Sequence, residues 1–287
     1  MADPGQRDSR DFIKTYRYLR IGMIGAVVLL GTSIALEQSK LECWQTSISA
    51  YYYTPVRAIF VGAMIAVGLS LIVYKGRPPW EDSWLNLAGM LAPIVAVAPT
   101  TDVGTCWSVA PNPLPVNEDG SLAEWVVTNI ANNIAALLVA GAIGLVVAAL
   151  LAVLVRQGIL GESQQIDPRT AVGLGITAAV LLAVWLLSLY WTSFNTRAHG
   201  FAAIAMFVFL AFAVITEALH HREDANRRLF VTYLTIAILM VVGALIIWLT
   251  RVFQDHTVFA LEAYEITLFA VYWLVQTAEK WDEDVAV

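Results

Sequence analysis

Charged residues are scarce in this chain, which has 23 acidic and 17 basic side chains among 287 residues. Charged residues make up 14% of the sequence and hydrophobic residues 59%, whereas an average soluble domain has about 25% charged residues. This number of charged side chains cannot cover the surface of a folded protein of this size. A large part of the surface must therefore contact lipid. The net charge of −6 also argues against nucleic-acid binding, which requires a basic face.

The sequence also lacks the short motifs of common catalytic and cofactor sites. It has no phosphate-binding glycine loop, no G-x-S-x-G turn, and no lysine within a hydrophobic run for a retinal-type linkage. The four histidines and two cysteines show no metal-ligand spacing, and we interpret His220 and His221 as a solvated helix end. We therefore predict no cofactor and no metal site, and whether the protein is an enzyme stays open.

Long hydrophobic runs are the dominant feature of the sequence. Most approach the ~20 residues that a helix needs to cross a hydrocarbon core of about 30 Å. The pattern predicts an all-α polytopic membrane bundle of about eight transmembrane helices, forming a single transmembrane domain over residues 1–287. The eight runs cover residues 21–36, 55–74, 84–99, 125–155, 170–191, 201–219, 229–250 and 258–275.

The basic residues are distributed unevenly between the two sides of such a bundle. If the N-terminus is cytoplasmic, only four of the 17 lysines and arginines fall at the outer side: Lys40, Arg57, Arg197 and Arg251. Because basic segments resist translocation, this asymmetry predicts that the N- and C-termini are both cytoplasmic. The cytoplasmic segments would be residues 1–20 and 276–287, and the longest outer loop would be residues 100–123.

The two cysteines fall on the same side in this topology. Cys43 lies between the first and second runs and Cys106 between the third and fourth, which places both at the outer, oxidising face. We therefore predict a disulfide bond between Cys43 and Cys106. The alternative is a pair of free thiols in a reducing host.

Small residues recur every four positions in the fourth run. Such a stripe lets helix backbones approach closely within lipid, where no hydrophobic force drives helices together. The pattern predicts that this helix is central in the bundle. The residues are Ala136, Ala140, Gly144, Ala148 and Ala152.

Polar and ionisable residues cluster towards the outer side of the predicted bundle. Glu262 and Glu265 are three residues apart and share one helical face, and ionisable groups at this depth are costly and functional by default. We expect an outward-facing polar cavity in which Arg57 pairs with one glutamate and the other carries a proton. The alternative is a set of structural hydrogen bonds and interfacial side chains. The candidate ligand-binding residues are Arg57, Asn129, Asn133, His199, Glu262 and Glu265.

Three segments carry a resemblance to other sequences: Ser47 to Arg57, Arg197 to Ala203, and Glu262 to Trp281. They resemble a group of uncharacterised multi-pass integral membrane proteins of actinobacteria and other bacteria. The resemblance implies a location in the bacterial cell (inner) membrane and directs attention to Arg57, His199 and Glu262. It implies no activity.

Three functions are compatible with these features. The leading hypothesis is a protein that binds or transports a small polar or ionic solute. Its expected partners are the lipid bilayer and a small polar solute or a proton. The runner-up is a membrane-embedded enzyme acting on a lipid headgroup in the outer leaflet, with His199 or His256 as base or metal ligand and a carboxylate beside it. The third is a sensor or assembly factor, in which the polar residues only fix how the helices pack.

Overall fold

The computed structural model describes residues 4–76, 79–104, 106–159 and 168–281. Within these ranges the regular structure is helical, apart from one isolated bridge between Val116 and Leu122. The prediction of an all-α protein is confirmed. The α-helices of the described ranges are α1 (Pro4–Gln38), α2 (Arg57–Val73), α3 (Pro79–Val97), α4 (Glu124–Arg156), α5 (Pro168–Tyr190), α6 (Phe194–Glu223), α7 (Arg227–Ile238), α8 (Ala244–Thr250) and α9 (Thr257–Glu279).

Six helical stretches of the described chain are long and apolar enough to span a membrane. The apolar helix α2 has only 17 residues, and α3 begins with Glu81 and Asp82 in its first turn. Neither is among the six, so the count of eight stays a prediction. The six stretches are Thr15–Gln38, Glu124–Arg156, Ala171–Tyr190, Phe194–Glu223, Arg227–Thr250 and Gln254–Glu279.

The helix α6 lies at the centre of the bundle, packed mainly against α3 and α7. The helix α2 packs on α3, and α1 contacts both α2 and α9. Two hydrophobic clusters fill the interior, one around Tyr51, Phe60 and Ile130 and the other around Tyr233 and Trp273. Because α6 and α9 contribute to both clusters, they connect the two halves of the bundle.

The helix α4 is peripheral, so the prediction that it is central is wrong. Its main neighbour is α5, and only Val126, Ile130 and Ile134 near its beginning are buried. The small-residue stripe is largely exposed, and a Cβ atom added at Gly144 would meet nothing within 4 Å. Large apolar side chains such as Val146 are exposed as well, as expected for a surface that contacts lipid.

The predicted disulfide bond is confirmed: Cys43 and Cys106 are bonded, with their Cα atoms 5.8 Å apart. Nearby, the Gln45 side chain donates to the carbonyl of Cys106, and the Ser108 hydroxyl donates to the buried carboxylate of Glu37. These contacts hold the long loop between α3 and α4 against the end of α1. We call this end of the bundle, where α2, α4, α6 and α9 begin, the disulfide end, and the opposite end, where α9 finishes, the Lys280 end.

A π-helical turn at Leu239–Gly243 joins α7 to α8 in one continuous helix. The hydroxyl of Tyr264 on α9 donates to the Leu239 carbonyl over 3.0 Å. A Cβ atom at Gly243 would lie 2.1 Å from that hydroxyl oxygen, so glycine makes room for the tyrosine. The π turn therefore fastens this helix to α9.

Candidate functional site

A buried hydrogen-bonded chain at the disulfide end links three elements that are distant in sequence. Glu262 of α9 accepts from the backbone N–H groups of Ile48 and Ser49 at 2.6 and 3.1 Å. Its other oxygen lies 2.6 Å from Ser49 Oγ, which lies 2.8 Å from His199 Nε2 on α6. His199 and Ser49 are buried, so bulk water does not complete this chain.

The geometry fixes one proton of this chain and leaves two that can move. His199 Nδ1 faces the carbonyl oxygens of Ala98 and Val95 at 2.8 and 3.1 Å, so it must carry a proton. In one arrangement a protonated Glu262 donates to Ser49, which donates to Nε2. In the other, Nε2–H donates to Ser49, which donates to a Glu262 carboxylate. The two arrangements hold the same number of protons, so the chain can pass a proton between Glu262 and His199.

A groove of about 680 Å³ opens beside this chain, between the beginnings of α2 and α4 and the end of α3. Its polar lining includes Arg57 and Asn133, two of the predicted binding residues. The Arg57 guanidinium lies 4.4 Å from the ring centre of Tyr52 and donates to its hydroxyl over 2.7 Å. Tyr52 therefore holds the guanidinium in place at the groove.

The groove and the buried chain share two walls. Tyr52 lines the groove and belongs to the same 3₁₀ turn, Ser49–Tyr53, that supplies Ser49 to the chain. Ala96 and Val97 of α3 also line the groove, and they lie between the two carbonyl groups that bind His199. A ligand that shifts either wall would therefore change the hydrogen bonds of the chain.

The expected ion pair between Arg57 and a glutamate is wrong. In the described part of the protein, the polar partner of Arg57 is Tyr52, whereas Glu262 accepts from the backbone N–H and the hydroxyl of Ser49. Tyr52 lies only five residues before Arg57, so a local contact takes the place of the expected long-range ion pair.

The two remaining candidate binding residues, Glu265 and Asn129, belong neither to the buried hydrogen-bonded chain nor to the groove lining. Glu265 is 4% exposed, and its Oε1 atom is buried with no hydrogen-bond partner among the described residues. Asn129 is half-buried on α4 and does not line the groove. The structure thus brings together His199 with Glu262 and Arg57 with Asn133, but does not assemble all six residues into one cavity.

A second buried polar cluster lies at the Lys280 end, where the sequence predicted little. Glu81 of α3 is fully buried and accepts from Tyr272 over 2.6 Å and from Gln276 over 2.8 Å. Lys280 lies 3.2 Å from both the Tyr74 hydroxyl and an oxygen of Glu217. This cluster joins α3, α6 and α9 through polar contacts inside the bundle.

His221 belongs to this cluster, so its interpretation as part of a solvated helix end is wrong. Its side chain is 8% exposed and its Nε2 atom lies 3.1 Å from Glu279 Oε1. The neighbouring His220 is 29% exposed and faces Asp224 at 3.4 Å. Two adjacent histidines on a helix point in different directions, about 100° apart, which explains why only one enters the core.

Lys280 keeps its charge in this setting. Burial lowers the pKa of the Lys280 ammonium, but the nearby Tyr74 and the buried carboxylates raise it by more, so its pKa lies above the ordinary value. The ammonium therefore stays protonated through neutral and mildly alkaline pH and offsets part of the negative charge of the cluster.

Spacing within the sequence carries a weak signal for this second cluster. Glu217 and His221 are four residues apart on α6, and Tyr272, Gln276 and Lys280 follow the same spacing along α9 and the residue that caps its end, so each set shares a helical face. No such signal links Glu81 to them, because the contact joins residues 191 positions apart.

No protein-family model matches the chain, and neither a curated protein nor a solved structure matches it.

Proposed function

We propose that this membrane protein binds a small anionic solute in the groove at Arg57 and moves a proton along the buried Glu262–Ser49–His199 chain as it does so. The observation that supports this proposal best is the arrangement of Arg57 and Asn133 in one groove. The groove would open at the outer face of a bacterial inner membrane, in keeping with the distribution of basic residues.

The chemistry of the groove favours an anion. Arg57 presents a fork of N–H donors, stacked on Tyr52 and without an ion pair to a carboxylate in the described residues. An arginine held in this way binds carboxylate or phosphate oxygens through charge-assisted hydrogen bonds. The Asn133 amide offers both a donor and an acceptor for a second group of the solute.

Proton movement follows from the walls that the groove shares with the chain. An anion at Arg57 would draw Tyr52 and its 3₁₀ turn, and Ser49 on the same turn would shift relative to His199. Negative charge in the groove also favours the arrangement in which His199 is an imidazolium. Anion binding and proton transfer are then linked, which is the basis of coupled transport.

Thermal unfolding of the full chain in detergent, with and without added anions, tests the binding step. The probes are inorganic phosphate, succinate and neutral glycerol, each compared in the wild type and in Arg57→Gln. We expect one of the anions, but not glycerol, to raise the Tm of the wild type by a few degrees and to leave that of Arg57→Gln unchanged. Vesicles containing phosphatidylglycerol or phosphatidylcholine show whether the anion is a lipid headgroup instead of a free solute.

Arg251→Gln is the matched control. Arg251 also lies near the disulfide end and over a tryptophan ring, that of Trp248, but outside the groove. It should respond to the anion as the wild type does. An equal response in Arg57→Gln, or no response of the wild type to either anion or to anionic vesicles, would contradict the proposal.

A second candidate function rests on the 2.8 Å contact between Ser49 Oγ and His199 Nε2. This is the geometry of a serine nucleophile and its histidine base, as in an enzyme that cleaves a lipid headgroup. Two features weigh against it: Ser49 is buried, and the nearby backbone N–H groups that could stabilise an oxyanion are bound to Glu262. Covalent labelling of Ser49 by a fluorophosphonate, absent in Ser49→Ala, would favour the enzyme.

A further inference from the structure

Three side chains of the types that bind metal ions in proteins lie close together at the Lys280 end. Glu217 and His221 lie one turn apart on α6, and Glu279 reaches them from the end of α9. One ligand atom from each residue lies within 4.8 Å of the other two. His221 Nε2 is 3.1 Å from Glu279 Oε1 and 3.6 Å from Glu217 Oε1.

These distances match the spacing of ligands around a metal ion. With bonds of about 2.0–2.2 Å to nitrogen and oxygen, two ligand atoms of a tetrahedral site lie roughly 3.3 Å apart. The separations of His221 Nε2 from Glu279 Oε1 and from Glu217 Oε1 lie on either side of this value. One ion placed among the three atoms could therefore contact all of them with little movement.

The unsatisfied polar atoms of this group are a second and independent observation. Glu217 Oε2 is buried and has neither a hydrogen-bond nor an ion-pair partner among the described residues, whereas Glu217 Oε1 faces Lys280 and His221 Nε2 faces Glu279 without a hydrogen bond of regular geometry. The Glu217 side chain is 0% exposed. Buried polar atoms without hydrogen bonds are rare, and one explanation for them is an ion that binds them.

Neighbouring side chains orient these three residues, as the residues around the ligands do in metal sites. The Tyr233 hydroxyl donates to Glu279 Oε2, which leaves Oε1 directed at His221. The ring of Tyr233 also stacks on the imidazole of His221 at 5.4 Å, which fixes its orientation. Lys280 approaches Glu217 Oε1 only, so Glu217 Oε2 remains available.

We propose that Glu217, His221 and Glu279 bind one divalent first-row transition-metal ion, with Zn²⁺ as the representative. An imidazole nitrogen with carboxylate oxygens suits zinc and its neighbours better than calcium or magnesium, which prefer oxygen alone. The ion would join α6 to α9 and would add positive charge beside the carboxylates of Glu217 and Glu279. This site is at the opposite end of the bundle from the anion groove and does not depend on it.

Zinc binding to the full-length protein tests the site. The protein is purified in detergent with a histidine-free tag, stripped with a chelator, incubated with Zn²⁺ and separated from free metal, and its zinc is then counted by mass spectrometry. We expect about one zinc per chain in the wild type. In His221→Gln and Glu279→Gln, competition with a chromophoric chelator should show an affinity at least about tenfold lower.

His220→Gln is the matched control, because it removes the adjacent histidine that faces Asp224 outside the cluster. It should bind zinc as the wild type does. Wild-type protein without zinc, equal binding in His221→Gln, or loss of binding in His220→Gln would each overturn the proposal.

A spectroscopic measurement keeps the proposal testable if the His221 variant does not fold. X-ray absorption at the zinc edge of the wild-type protein should show nitrogen and oxygen ligands with a single imidazole. A spectrum with two or more imidazoles, or with sulfur, would place the zinc elsewhere and overturn the assignment.

Discussion

The carboxylate of Glu262 satisfies a stretch of backbone that lies outside any long helix. It accepts from the N–H groups of Ile48 and Ser49 at the beginning of the 3₁₀ turn, and from the Ser49 hydroxyl. A buried N–H group without a partner costs about 1–3 kcal/mol. At the scale of single residues, Glu262 therefore determines where the segment between α1 and α2 lies on the bundle.

Replacing Glu262 separates this structural role from its charge. We expect Glu262→Ala to lower the free energy of unfolding by about 1–3 kcal/mol, because two backbone N–H groups lose their acceptor. Glu262→Gln should cost much less, since its amide oxygen can accept from both N–H groups while its NH₂ donates to Ser49. Chemical unfolding in detergent micelles measures both. If the glutamine variant were as unstable as the alanine variant, the native chain would require a charged Glu262 beside an imidazolium.

At the scale of helices, the π turn at Leu239–Gly243 determines how α7 and α8 meet α9. A π turn interrupts the regular pattern of helical hydrogen bonds, and here the Leu239 carbonyl accepts from the Tyr264 hydroxyl. The arrangement requires glycine at position 243, because a Cβ atom there would lie 2.1 Å from the Tyr264 hydroxyl oxygen.

We expect Gly243→Ala to destabilise the protein by about 1–3 kcal/mol, as overpacking does in cores. The tyrosine would have to leave its position and lose its hydrogen bond to Leu239. Gly144→Ala is the matched control, because the space around Gly144 on α4 is open and alanine favours a helix by up to about 1 kcal/mol. Thermal unfolding of the two variants gives the comparison, and equal Tm values would show that the Tyr264 contact is dispensable.

At the scale of the whole molecule, the long loop between α3 and α4 and the end of α9 lie at opposite ends of the bundle. The disulfide bond and the Ser108–Glu37 contact hold the loop at one end, and Lys280 marks the other. The distribution of basic residues predicts that the Lys280 end faces the cytoplasm, because basic residues resist translocation.

Reporter fusions test the orientation. A reporter that is active only in the cytoplasm should be active when fused after Val287 and inactive when inserted near Pro113. An oxidation-dependent reporter should show the reverse pattern at the same two sites. If the cytoplasmic reporter were active near Pro113 and inactive after Val287, the charge argument would be wrong and the disulfide end would face the reducing compartment.

Composition and local pattern determined the broad architecture of this protein. Hydrophobic runs long enough for helices predicted the all-α bundle, and each run corresponds to helical structure in the described chain. The disulfide bond was also predictable, because the predicted topology places the only two cysteines of the sequence on the same side. These properties depend on short stretches of sequence and on the solvent around them, so they need no knowledge of which helices touch.

The partners of the polar residues were decided by the tertiary structure. Glu262 binds Ser49, 213 positions away, and Glu81 binds Tyr272 across 191 positions, so no local pattern connects them. The small-residue stripe of α4 was misleading for the same reason, because lipid and protein are similarly apolar neighbours for such a face. His221 turned inward and His220 outward because His221 lies on the face of α6 that meets Tyr233 of α7 and Glu279 of α9. In a bilayer, apolar sequence determines that helices form, whereas the pairing of their faces determines which polar groups meet.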